Sequence, residues 1–490
     1  MTGNLLLLPV AIPAVCALGI VMLRGHRALT QAVALAGGGA MLLAGLLLAW
    51  LTADGTVLTL RFGGWEPHVG ITWVCDAFSA IMLVLSALAS LAMLISLPGA
   101  LAAGEHDGLR PLHQALLVGV NASFLTGDLF NLFVCFELML LASFALLALG
   151  GGKQRLRAAL PYVIVNLIAS LLLLAGVGAV YGTIGTVNLA ELSLRVAEAP
   201  AAFWAPMGLV LAVFAIKAAL APVFVWLPDA YPVAPLPVSA LFAGLLTKVG
   251  VYALFRVVPL LAEGAVPLNT ILLPIAVATM VIGVIGALGR DTVREILSFH
   301  IVSQVGYMVL GLAIGTRAGL AAGVFYLVHH IVVKTALFLA GGVVERCGGG
   351  RLGAVAGLAH ARPWLGVAFL LPALALAGMP PLSGFWGKLF LVLAGFEASA
   401  WVATAAAVAV SLLTLASMLK IWNAAFWGAS TPGAAAPIAR PMLAAALALA
   451  ALSLAIGLLA PLLLGHCERI AEQLATGTAY RAAVLGSGAP

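Results

Sequence analysis

The chain has 490 residues, of which 64% are hydrophobic and only 8% charged, and its mean hydropathy is +1.18. That composition excludes a soluble globular domain and reads as a polytopic helical membrane protein. The net charge of +6 is too sparse for a nucleic-acid binder, and five scattered cysteines (Cys16, Cys75, Cys135, Cys347 and Cys467) without CxxC spacing offer neither a disulfide framework nor a zinc or iron–sulfur site.

Apolar runs punctuated by Gly, Pro and charge predict about fourteen transmembrane helices, at 4–23, 28–52, 74–97, 109–127, 129–149, 158–181, 207–228, 236–259, 271–288, 296–315, 319–344, 364–395, 399–427 and 441–464. The first run starts at Leu5 with no basic residue before it and reads as a retained helix, not a cleaved signal. Residues 53–73 are too polar to span and read as a Gly-rich surface hairpin, while the tail 466–490 reads as a short soluble end. Two spans are interrupted. The seventh carries Lys217 followed by Pro222 and Pro228; the twelfth carries Gly378-Met379-Pro380-Pro381 and then Lys388. Proline inside a helix frees a carbonyl, and membranes tolerate such breaks where they line a cavity. Two broken helices five spans apart predict two inverted five-helix repeats, at 109–260 and 261–428, between an N-terminal three-helix segment (1–108) and a C-terminal helix and tail (429–490).

Loop charge predicts orientation. With the N-terminus outside, the inner loops hold Arg24, Arg27, Arg110, Lys153, Arg155, Arg157, Arg290, Arg294, Arg346, Arg351, Arg362 and Arg440, twelve cations. The outer loops hold Arg61, Arg195, Arg256, Arg317, Arg469 and Arg481, six cations. The excess places both termini outside.

The remaining five of the six lysines, Lys217, Lys248, Lys334, Lys388 and Lys420, lie inside apolar runs. At about 2.5–3.5 kcal/mol each on insertion scales, five unpaired would cost roughly 12–17 kcal/mol. Lysine gives up its proton on burial and arginine does not, so this distribution points to proton handling. Glu137, alone in NLFVCFELMLLASF, needs a cation or a proton; Lys217 is the best partner, either in a structural ion pair or in one that tunes the lysine. Lys248 is too central to snorkel, with Gly244 and Gly250 beside it for close helix approach, whereas Lys420 lies near a helix end and snorkels. His329, His330 and Lys334 share one helix, with His330 and Lys334 on one face. Adjacent histidines point about 100° apart, and no carboxylate lies within a turn, so a proton relay fits better than a metal site. Lys388 ends the series. Ser143, Asn166, Thr247, Ser298, His300, Ser303 and Gln304 are placed to order bridging water. No haem, flavin or cluster ligand pattern occurs, so no cofactor is expected.

The strings TGDLFNLFVCFELMLLAS, KAALAPVFVWLPDAYPVAPLPVSALFAGLLTKVGVYAL, REILSFHIVSQVGYM and GMPPLSGFWGKLFL resemble the proton-translocating, antiporter-like subunit family. That family includes the large subunits of Mrp multisubunit sodium/proton antiporters and three membrane subunits of respiratory complex I. The resemblance runs from about 75 to 430 and is closest to the D-type Mrp subunits, with Lys388 where complex I M-type subunits carry glutamate. It implies a bacterial plasma-membrane location, a hetero-oligomeric complex, and transport of protons and sodium without a redox cofactor or enzymatic step. By family pattern Glu137 and Lys217 match the paired residues of the fifth and seventh spans, Lys248 the connecting lysine, His329 and His330 the relay, and Lys388 the distal lysine. One departure is Val223-Phe224-Val225, where many relatives carry histidine. A component of a redox-driven complex is the alternative; a scaffold of frozen ion pairs is disfavoured, because five buried lysines face so few buried acids.

Overall fold

The computed structural model describes residues 2–99, 106–262, 264–431, 438 and 440–486. The end of the predicted tail, 487–490, therefore lies outside the described residues. The helices, in chain order, are α1 (Leu8–Met22), α2 (Arg27–Leu51), α3 (Ala77–Ser96), α4 (His106–Leu125), α5 (Leu129–Ala148), α6 (Lys153–Ile184) and α7 (Leu189–Arg195). They continue with α8 (Ala201–Ala218), α9 (Trp226–Ala230), α10 (Leu236–Leu260), α11 (Leu268–Leu288), α12 (Val293–Ala313), α13 (Arg317–Gly348) and α14 (Leu358–Ala361). The last are α15 (Pro363–Ala377), α16 (Ser383–Glu397), α17 (Trp401–Ile421), α18 (Arg440–Leu458), α19 (Ala460–Thr476) and α20 (Thr478–Leu485). Twelve helical stretches among the described residues are long and apolar enough to cross a bilayer. The more polar α4 and the broken pair α15–α16 complete the fourteen expected spans.

The expected surface hairpin forms between α2 and α3. Strand β1 (Leu58–Arg61) pairs antiparallel with β2 (Thr72–Cys75), Leu58 opposite Cys75 and Arg61 opposite Thr72. It marks one end of the bundle, the terminal face, where the N-terminal turn and α20 also lie against it. The opposite end, the basic face, gathers Arg290, Arg294, Arg351 and the loops beside them. There Arg294 pairs with Glu345, and Thr292 bridges to Arg351. The N-terminal turn at Thr2–Leu7 and α20 thus share one face, as an even number of spans between them requires.

Polar residues start the spans at these faces. Asp76 caps α3 by accepting from Ser79 N, Asp128 caps α5 through Asn131 N, Thr292 caps α12 through Glu295 N, and Thr316 caps α13 through Gly319 N. Each satisfies an amide that lipid cannot. At the centre stand α10, α12 and α13, buried almost throughout. α13 touches α10, α12, α15, α16, α18 and α19, so residues on it have no lipid-facing side.

Three expectations need correction. The seventh span begins earlier than 207: α8 starts at Ala201, stops at Ala218, and the chain turns through Ala219 (φ 61°) before α9. The tail from 466 is not a loose end. α19 places Cys467, Ile470, Ala471 and Leu474 against the bundle, and α20 buries Tyr480 and Val484. Finally, Arg110 and Arg256 are not loop charges: they are 7% and 6% exposed, within α4 and α10.

Candidate functional site

The four deeply placed lysines share one kind of environment. Lys217 Nζ donates to Asn166 O at 3.0 Å, Asn166 Oδ1 at 3.3 Å and Ser170 Oγ at 3.2 Å, all on α6. Lys248 Nζ donates to Ala243 O at 2.5 Å, and Lys334 Nζ to Leu297 O on α12 at 2.9 Å. Lys388 Nζ donates to Leu376 O at 2.9 Å, Ala377 O at 3.1 Å and Ser411 Oγ at 2.9 Å, and lies 4.9 Å from the Tyr307 ring centre. Every acceptor is neutral. No ion pair among the described residues joins any of these four to a carboxylate. Neutral oxygens stabilise an ammonium less strongly than a carboxylate would.

The helix breaks build two of these sites. α15 ends at Gly378 (φ 93°), and its last carbonyls, Leu376 and Ala377, are freed where Pro380 and Pro381 interrupt the span. They present the negative end of the half-helix to Lys388. At the other break, with Pro222 just beyond it, the end of α8 lies against Gly250 of α10. A Cβ on Gly250 would meet Ala218 N at 2.5 Å and Lys217 C at 2.7 Å. Glycine there lets the backbone bearing Lys217 approach within two residues of Lys248.

The histidines divide as their angular spacing predicts. His329 Nδ1 meets Ser383 Oγ of α16 at 2.7 Å, and Ser383 meets Ser453 Oγ of α18 at 2.9 Å. His330 faces the other way, within electrostatic reach of Lys248, Lys334, His329 and His300. His300 Nε2 meets Ser417 Oγ of α17 at 2.9 Å and lies in the field of both Lys334 and Lys388. Both ring nitrogens of His330, Nδ1 of His300, Nε2 of His329, Thr247 Oγ1 and Ser298 Oγ are buried without a protein partner. Buried polar atoms left this way are the sites where ordered water belongs. Lys248, His330, Lys334, His300 and Lys388 therefore form one series across α10, α13, α12 and α16. Beside Lys388 a cavity of about 190 Å³, lined in part by Tyr307, Ser411 and Leu412, opens between α16 and α17.

One site expectation meets a different geometry, and another is met. Glu137 does not contact Lys217. No hydrogen bond or ion pair joins the two, and Glu137 Oε1 is buried without a partner. It sits half-buried on the flank of α5, beside exposed Val134, Leu138 and Leu141. Lys420 snorkels as expected, reaching Leu288 O at 3.1 Å, Arg290 O at 2.7 Å and Asp291 Oδ1 at 3.3 Å on the basic face. Among the described residues no group of three His, Cys, Asp or Glu side chains is arranged to hold a metal.

Residues 126–414 match the family described as NADH:quinone oxidoreductase/Mrp antiporter, transmembrane, and that stretch holds every lysine and histidine of the series. The chain belongs to this family. It is similar to the D-type subunit of the Na+/H+ antiporter of Alkalihalophilus pseudofirmus, 39% identical over 429 residues that cover 86% of this chain and 87% of the relative. Among solved structures it is similar to a chain of the Mrp complex from Dietzia sp. DQ12-45-1b, with a TM-score of 0.94, 39% identity and 99% coverage of both chains. It is also similar to a chain of the membrane-bound sulfane sulfur reductase, an archaeal respiratory membrane complex, with a TM-score of 0.93, 26% identity and coverage of 99% and 100%. The likeness in fold extends over 99% of the chain, whereas the family match itself starts after α4.

Proposed function

We propose that this chain is the proton-translocating subunit of a multisubunit sodium/proton antiporter of the bacterial plasma membrane. The observation that carries the reading is the set of four buried lysines held by neutral oxygens, joined by three buried histidines with unpartnered ring nitrogens. A proton entering near Lys217 passes Lys248, moves through His330, Lys334, His300 and His329, and reaches Lys388. Glu137 biases Lys217 from a distance: its negative charge favours the ammonium, and any movement that weakens that field favours release. The 39% identity to a D-type antiporter subunit supports sodium as the counter-ion. Other subunits supply the sodium path, because one half-buried carboxylate is too little to hold a sodium ion across this bundle. The basic face belongs in the cytoplasm by the same excess of cations that sets loop topology, which puts both termini outside. The two interrupted spans support a division into inverted five-helix halves.

The test is exchange in vesicles carrying the assembled complex. Glu137→Ala and Lys217→Ala should each abolish sodium-driven proton movement while the complex still purifies intact. Normal exchange by either variant removes the pair from the path, and loss of assembly makes it structural. The likeness to a respiratory membrane complex supports a second reading, in which redox chemistry drives the proton movement. Co-purified redox proteins, with no response to an imposed sodium gradient, would decide for it.

A further inference from the structure

The N-terminal helices carry a second buried polar series that the lysine path does not use. It begins at the basic face, where Arg110 Nε donates to Gln31 Oε1 at 2.9 Å and Gln31 Nε2 donates to Leu94 O at 2.8 Å. A cavity of about 10 Å³ beside Arg24, Arg27, Thr30 and Arg110 reaches the same point, with room for one water. Further in, His113 Nε2 meets Ser90 Oγ at 3.2 Å. Then Ser86 Oγ donates to Asn121 Oδ1 at 2.7 Å, and Asn121 Nδ2 donates to Pro9 O at 2.7 Å. Near the terminal face Tyr252 OH donates to Phe124 O at 2.7 Å and lies 2.9 Å from Ser79 Oγ. From Arg110 to Phe124 α4 rises about 21 Å, most of the hydrocarbon thickness. Ser79, Ser86 and Ser90 lie on one face of α3, and Arg110, Gln114 and Asn121 on one face of α4.

Polar residues that only glue membrane helices together satisfy one another. Here the middle of the series is left open. Gln114 is fully buried, and neither its Oε1 nor its Nε2 has a protein partner; His113, equally buried, leaves Nδ1 unpartnered. An occupant must both donate and accept. A sodium ion offers no donor and seeks several oxygen ligands, and the one carboxylate at the column, Asp76, is already held by Arg256 at both of its oxygens. Water fits both requirements.

We propose that α1–α4 enclose a second hydrated column, separate from the lysine series, with water seated at His113 and Gln114 and His113 as its proton-relaying residue. The charged, imidazole and phenol groups on the surrounding helices, among the described residues, are Arg24, His26 and Arg27 by α1 and α2, Asp76 at α3, Arg110 on α4, Asp128 and Glu137 on α5, and Lys248, Tyr252 and Arg256 on α10. None forms an ion pair with His113 among the described residues. Imidazole can therefore donate at one nitrogen and accept at the other without a fixed charge locking its state.

The experiment uses the assembled complex in vesicles. Gln114→Cys and Ser90→Cys should react with a small water-soluble thiosulfonate above the background of the native cysteines, and Leu116→Cys, a fully buried apolar control on the side of α4 away from Gln114, should not. Gln114→Cys no more reactive than Leu116→Cys overturns the column. His113→Gln should slow exchange several-fold and flatten its pH profile, and Ser90→Ala should shift that profile with the helix contacts kept. An unchanged rate and profile in both variants overturns the relay, even if the column is wet. The labelling does not depend on antiport, so failure of the antiporter reading and failure of the column are told apart.

Discussion

At the scale of the residue, the four lysines are distinguished by what holds them. An ammonium among carbonyls and hydroxyls can lose its proton there, because a neutral amine keeps two N–H donors and its lone pair can accept from a hydroxyl such as that of Ser170 or Ser411. A guanidinium in the same place stays charged. Lys248→Arg and Lys388→Arg should therefore damage exchange nearly as much as alanine, in vesicles containing correctly assembled complex. Retention of most of the rate by either arginine variant would mean that the position supplies only a charge. The histidines make a graded counterpart. Gln at both His329 and His330 keeps hydrogen bonding but removes titration, so exchange should slow and its pH profile should change, with protein levels kept. An unchanged profile would leave water alone as the bridge. The lysines and the histidine pair are legible in the sequence because each is a polar interruption of an apolar run. His300 is less so: it sits in a helix that also carries Ser298, Ser303 and Gln304, and its reach toward Lys334 and Lys388 is set by packing. The distance between Glu137 and Lys217 is likewise tertiary, since nothing along the chain fixes how α5 and α8 face each other.

At the scale of the element, breaks and close approaches place these groups. The prolines after Lys217 and before Lys388 mark the breaks in the sequence, but only the structure gives their use: the freed end of α15 becomes the acceptor for Lys388. Gly250 does the comparable work for α8. A Cβ there would strike backbone, Ala218 N and Lys217 C, which cannot move aside as a side chain tip would. Gly250→Ala should force α8 and α10 apart at the two lysines, at a cost of about 1–3 kcal/mol. Exchange should fall sharply in complex that still assembles. Gly208→Ala, on α8 with nothing within 4 Å of the added carbon, is the matched control and should leave exchange unchanged. Equal behaviour of the two variants would show that the close approach is dispensable. The tail was readable in principle: Cys467, Ile470, Ala471 and Leu474 follow the spacing of an amphipathic helix, but the charged residues between them mask it at the level of mean hydropathy.

At the scale of the whole molecule, one buried ion pair closes the terminal face. Arg256 holds Asp76 through two hydrogen bonds, 2.5 Å and 2.8 Å long, and also reaches Ser79 Oγ and Tyr252 OH. Its guanidinium lies 5.3 Å from the ring centre of Tyr480 on α20. The first third of the chain, the central α10 and the C-terminal helix therefore meet at a single cation. The sequence conceals this, because Arg256 lies near the end of a span and its partner is 180 residues away. Asp76→Asn isolates the charge: asparagine still caps α3 through Ser79 N but leaves a buried guanidinium without its counter-ion. Breaking a buried pair from one side costs about 3–5 kcal/mol, whereas replacing both partners by apolar residues of similar volume is often near neutral. Asp76→Asn should lower the melting temperature of the detergent-solubilised complex and expose the link at Gly477 between α19 and α20 to protease. Asp76→Leu combined with Arg256→Met should recover much of the loss in both measurements. If the double variant is as unstable as the single, the pair specifies how the three parts fit together and does more than neutralise a charge; if the single variant melts like the parent, water reaches Arg256 and the face is open.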